Sequence, residues 1–336
     1  LGGSLRAGID TPGGKEEGRE VSFAVAADRE WLRTLSRFPY GMSPEVERRL
    51  LAVHGEKRIG ELGRGPGESG AGDRVEGFVR AVERATRSYR DRRTAIRHGY
   101  RKIGPDFPGM GEHWVNPGLV ASGTVDAARP PILTYVAVGD TVRLTGAAFA
   151  VPLAADEEPP EAPVGRDAWH DHSASLDEET LVLESARSMH PEADGPRLAM
   201  FHTWLWPPNP DGPLAQNNWA LSWARLGLDP PGRPDPVVAR ALFLGYGGDD
   251  YYRRLLARAG GIEGRADVRA VDEAVQRGAQ RVRAAATRDS GTRRLTAGQE
   301  DALRAAWASL WADLHRDLSR PVWERLAPVF REWSGE

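Results

Sequence analysis

Five of the eight histidines, His113, His170, His172, His190 and His202, fall within ninety residues of a 336-residue chain that has no cysteine. Without thiolates, imidazole is the side chain left to hold zinc, iron, copper, manganese or nickel. His170 and His172 form the pair HDH in DAWHDHSAS. In an extended stretch alternation sends both to one face, a common way to present two nitrogens to one ion. His202 stands in FHTWLW, where a strand puts Trp204 and Trp206 on its own side.

His113 stands beside Glu112 and Trp114 in FPGMGEHWVNPG, which reads as a loop. Gly109 and Gly111 open backbone angles closed to other residues and Pro108 and Pro117 hold the ends, so Glu112 and His113 are aimed with little freedom left to lose. The expectation is that His113 points at His202 and the HDH pair, with Trp114 as a wall. Glu112 would serve as acid or base, or Glu112 or Glu184 as a carboxylate ligand.

Each residue has a plainer alternative. His190, in SMHPEADG, reads equally as a loop residue bonded to backbone. Trp114, Trp169, Trp204 and Trp206 each lie within four residues of a candidate histidine. They would line a cofactor or ligand pocket, or pack an ordinary core. His54, His98 and His315 lie away from the cluster and read as surface or packing residues.

The segments GYRKIGPDFPGMGEHWVNP, WHDH and HTWLWPPNPDG, in this order, resemble the patterns GYxxxGxxFPGMGxHWxNP, WHxH and HxWLWxxNPxG of a group of bacterial proteins with no assigned activity. The resemblance spans roughly residues 75 to 220 and implies that the five histidines belong together. It implies no reaction.

The elements that must position these residues follow from period and punctuation. ILTYVAV, the turn Gly139-Asp140 and TVRLTGAAFAVPL read as a β-hairpin, and RLAMFHTWLW as a third strand stopped by the Pro-rich turn after Trp206. Apolar spacing from Asp73 to Gly99 reads as one helix of about seven turns. Residues 74 to 102 carry ten Arg or Lys against three acids. That basic face reads as solvated rather than as a nucleic-acid surface, because no recognised module frames it. REWLRTLSRF and SPEVERRLLAVHG read as helices, and GELGRGPGESGAGD as a connector. Beyond DPPGRPDP the chain returns to helix in VVARALFLG, DDYYRRLLARAG and DVRAVDEAVQRGAQRVRAAA. TAGQ then opens a last helix with a capping box.

Composition narrows the function classes. The net charge of -3 leaves no global field to recruit nucleic acid or an anionic membrane. There is no Walker loop, no paired-glycine dinucleotide fingerprint, no HExxH and no GxSxG. The sequence opens with Leu in the polar run LGGSLRAGIDTPGGKEEG, and no run of eighteen apolar residues occurs. The expectation is a soluble bacterial protein, cytoplasmic or exported after removal of a leader.

The expected fold is α+β, with a small antiparallel sheet over 131–206 packed by N- and C-terminal helices. A cupin-like barrel is the alternative. One integrated domain is divided into a tail (1–20), a helical region (21–105), a mixed region carrying the site (106–228) and a helical region (229–336). The expected cofactor is one divalent iron, copper or zinc ion held by His113, His170, His172, His190 and His202. The expected partner is a small molecule, with no nucleic acid and no membrane span. An iron- or copper-dependent oxidoreductase is one reading; a non-catalytic metal, haem or small-molecule binder and a zinc hydrolase stay open.

Overall fold

The computed structural model describes residues 71–153, 158–161, 163–171, 197–287 and 293–334. The expected tail and the helices between 21 and 70 lie outside the described residues. Within them the chain is α+β, with an open six-stranded antiparallel sheet and helices on both faces. Among these residues no helix is long and apolar enough to cross a membrane.

The strands are β1 (Arg101–Phe107), β2 (Gly111–Val115), β3 (Ile132–Val138), β4 (Thr141–Leu153), β5 (His170–Asp171) and β6 (Arg197–Trp204). Their order is β1-β2-β3-β4-β6-β5, so β1 and β5 are edges and no barrel closes. The β3–β4 hairpin turns at Gly139-Asp140 as its sequence predicts, with Gly139 at φ 55°.

FPGMGEHWVNPG corrects the loop reading: it is a hairpin turn followed by β2. The breakers sit where a hairpin tolerates them. Gly104 and Pro105 fall at the register shift between Ile103 and Asp106 on a strand that, among the described residues, is an edge with no second neighbour to demand an N–H. Gly111 has φ 82°, and a Cβ there would meet the Tyr135 carbonyl oxygen. Asn218 N–H donates to the Gly109 carbonyl at 2.7 Å, tying the turn down.

The single helix expected over 73–99 is also corrected. Helix α1 (Ala71–Thr86) gives way to a 3-10 turn, and α2 (Arg92–Arg97) starts afresh. Asp91 is extended there, and its carboxylate accepts the Arg93 N–H at 3.0 Å, so it caps a new helix. The apolar spacing survives the break, which is why it reads as continuous. A short α3 (Pro117–Ala121) follows β2 with Asn116 as its cap.

Alternation divides the sheet. One face packs Leu133, Tyr135, Phe149 and Phe201 against Phe78 and Val82 of α1. Phe149 stacks on Phe201 at 5.0 Å, and Phe78 tilts against both. The other face meets a C-terminal helical layer through Phe107, Met110, Val136 and Trp204. That layer comprises α4 (Leu221–Arg225), α5 (Pro236–Gly245), α6 (Asp249–Ala259), α7 (Arg265–Ala285), α8 (Ala297–Asp317) and α9 (Arg320–Ser334). The predicted capping box of α8 is present, with Thr296 and Gln299 bonding each other's backbone N–H. Asp235 caps α5 just ahead of Pro236. Helix α9 was not anticipated; it buries Leu326 and Trp333 beside Trp311.

One ion pair bolts this layer to the sheet. Arg225 of α4 grips Asp106 of β1 at 2.5 and 2.6 Å and donates to the Phe107 carbonyl at 3.0 Å. Its guanidinium lies over the Phe243 ring.

Candidate metal centre

The register explains which histidines meet. Directly opposed residues share a face, and His113, Thr134, Gly146 and Trp204 form one such row across β2, β3, β4 and β6. His202 opposes Ala148 on the same face, two residues along from Trp204. His170 opposes Met200, which puts it there too.

A flat sheet would hold β2 and β6, with two strands between them, about 14 Å apart. Yet the His113 and His202 Nε2 atoms stand 3.2 Å apart. The sheet must therefore curl with this face concave, and small residues let it. A Cβ on Gly146 would collide with the Thr203 carbonyl oxygen, and Ala148 and Ala150 keep the floor low. Thr134 fills the row, its hydroxyl bonded to that of Thr145 at 2.9 Å.

Both imidazoles are buried, His113 at 5% and His202 at 1% exposure. Aromatic rings fix their planes. Phe107 stands edge-on to His113 at 5.5 Å, while His202 is stacked between His170 at 5.2 Å and Trp204 at 5.4 Å. Trp204 is itself pinned by its indole N–H to the Ala215 carbonyl.

Two imidazole nitrogens on one ion at the ~2.0–2.1 Å bonds of a tetrahedral site stand roughly 3.3 Å apart. The His113–His202 pair has this spacing. A neutral pair sharing one hydrogen bond would have it too, one ring donating and the other accepting. Among the described residues no group of three or more His, Asp or Glu could hold a metal. His172, His190 and Glu184 lie outside the described residues.

Strand alternation separates the other candidates. Glu112 and Trp114 flank His113 in β2 and so point to the opposite face. Glu112 accepts from Lys102 Nζ at 2.7 Å and Trp114 Nε1 at 3.1 Å, with Arg92 at 3.4 Å. Burial alone would raise its pKa, but these donors and the Lys102 and Arg92 charges outweigh it and hold the carboxyl below its usual range. A carboxylate so neutralised, on the far face, is not brought to the histidines. Trp114 packs on Tyr135, and Trp169 packs edge-on to Phe201 at 4.7 Å with its N–H on the Pro160 carbonyl. Of the four indoles only Trp204 touches the imidazoles in this way. Trp206 lies beyond the end of β6, under the Arg143 guanidinium at 3.7 Å.

His98 bonds the Tyr89 hydroxyl and His315 stacks on Trp323, which are packing roles. The sequence reading missed the small-residue floor of Gly146, Ala148 and Ala150, although GAAFA displays it. No family model, no curated protein and no solved structure matches the chain.

Proposed function

We propose that the protein binds a transition-metal ion between His113 and His202, at the concave face of the sheet. The observation that carries this reading is the 3.2 Å Nε2 to Nε2 spacing of two buried imidazoles from strands that are not neighbours. Nitrogen donors suit zinc, copper, iron and nickel.

Retention is favoured over turnover. A catalytic ion keeps an open position that substrate reaches, whereas these rings are covered by Phe107, Trp204 and the helical layer. The oxidoreductase and hydrolase readings draw no support from Glu112, which serves an ion pair on the other face.

The test is elemental analysis of the full chain after metal loading and removal of excess metal without chelators. One ion per chain is expected, falling to none in the double variant His113→Ala, His202→Ala. A wild-type chain that retains no stoichiometric metal sinks the reading and leaves a hydrogen-bonded imidazole pair in the core.

A further inference from the structure

A line of ring contacts leads from the imidazoles through the helical layer. Phe107, at the end of β1, meets His113 at 5.5 Å and Tyr251 of α6 at 5.9 Å. Tyr251 meets Tyr252 at 5.0 Å, and there the line divides, to Trp307 of α8 at 5.3 Å and to Trp333 of α9 at 6.3 Å. Both branches rejoin at Trp311, each 6.1 Å from it. From Trp311 the line passes Phe330 at 5.3 Å and reaches Trp323 after a further 6.1 Å. Trp323 is partly exposed, whereas both tyrosines and the other three indoles are buried.

Packing accounts for large rings here but not for their type. Phenylalanine buries apolar area without a polar atom, whereas a buried indole carries an N–H that needs an acceptor. Among the described residues the N–H groups of Trp307, Trp311 and Trp333 have none, a cost that phenylalanine would avoid. What indole and phenol rings offer in exchange is that each gives up one electron far more readily than phenylalanine. An indole with no acceptor also keeps its proton when the electron leaves, so the ring is restored unchanged when an electron returns.

We infer that these rings carry single electrons between an ion held by His113 and His202 and the surface at Trp323. This rests on the metal-binding reading above and applies to an ion with two valences one electron apart. A strong one-electron oxidant at the surface takes an electron from Trp323, electrons shift outward from ring to ring, and the last is supplied by the ion. The ion's valence rises by one, the oxidant's falls by one, and bonds and protons show no net change. Phe107 and Phe330 are not themselves oxidised and serve as bridges between their neighbours.

The test loads the full chain anaerobically with Cu(I), a probe with two valences that binds nitrogen sites at least as tightly as zinc. Photogenerated tris(bipyridine)ruthenium(III) is the oxidant, and the rate of Cu(II) formation is followed by absorption and paramagnetic resonance. Trp311→Phe keeps a ring but closes the point where the branches rejoin, and should slow the rate by roughly tenfold or more. Trp307→Phe or Trp333→Phe alone should slow it by no more than about threefold, because one branch remains, and the two together should match Trp311→Phe. Trp169→Phe, which removes an indole from the other face of the sheet, should leave it unchanged. A rate unaltered in Trp311→Phe, or equal losses in all four single variants, overturns the relay, and copper still held through His113 and His202 then leaves the metal site standing. No copper bound by the wild type overturns both.

Discussion

The two faces of the sheet use alternate residues of the same strands and bury opposite kinds of chemistry. Toward α1 lie Leu133, Tyr135, Phe149 and Phe201, close-packed rings and aliphatics that touch Phe78 and Val82. Toward the helical layer lie His113, His202 and His170 over a floor of Thr134, Gly146 and Ala148. The first face follows the rule that large apolar groups drive burial. Around the imidazoles the second departs from it, setting small residues and polar rings beside Phe107, Val136 and Trp204, which pack on the helical layer. Both faces therefore bury apolar side chains, and the imidazoles take up only part of the second.

The sharpest way to break this division is to cut into each face and compare. Phe201→Ala removes a ring with 0% exposure from the aromatic face, and should cost about 3–5 kcal/mol in denaturant unfolding. Metal bound per folded molecule should not change. If metal is lost in proportion to stability, the faces are not independent.

Glu112 probes the rim of the aromatic face. Its carboxyl is held below its usual pKa, so its contribution to stability is complete above the unfolded-state value of about 4.3. That contribution drains as pH falls through the lower folded value. Glu112→Gln should therefore cost about 1 kcal/mol near neutral pH, allowing for the partly exposed Lys102 and Arg92. The difference from wild type should vanish toward pH 3. A difference that persists there would mean that packing, not charge, sets the role of Glu112.

The smallest stability effect belongs to the site itself. Replacing both His113 and His202 by Leu removes a polar pair together, a change that leaves no orphaned partner between them. The metal-free variant should unfold within about 1 kcal/mol of the metal-free wild type, while its metal binding is abolished. A loss of several kcal/mol without metal would make the pair part of the core and dissolve the contrast.

What the sequence disclosed follows the same division. The β3–β4 hairpin, the capping box at Thr296 and the C-terminal helices each announce themselves through local chemistry, a turn pair or a cap beside a periodic run. The β1–β2 hairpin did not, because Gly104, Pro105, Pro108, Gly109 and Gly111 read as breakers until an edge strand and a tight turn are known to hold them. That misreading hid the most useful local fact about the site: in a strand, Glu112 and His113 cannot act together. His113 and His202 were legible as candidates by residue type. Their meeting was not, since it depends on the curl of strands that lie between them. Trp206 was assigned to His202's face by extending β6 two residues past its end.

Because two intervening strands separate His113 from His202, the distance between their nitrogens depends on the curvature of the sheet as well as on the rotamers of the two rings. The pair works as a caliper laid across the sheet. A residue larger than glycine at position 146 need touch neither imidazole to open its jaws. The spectrum of a bound ion would then register a change in sheet shape too slight to alter the fold.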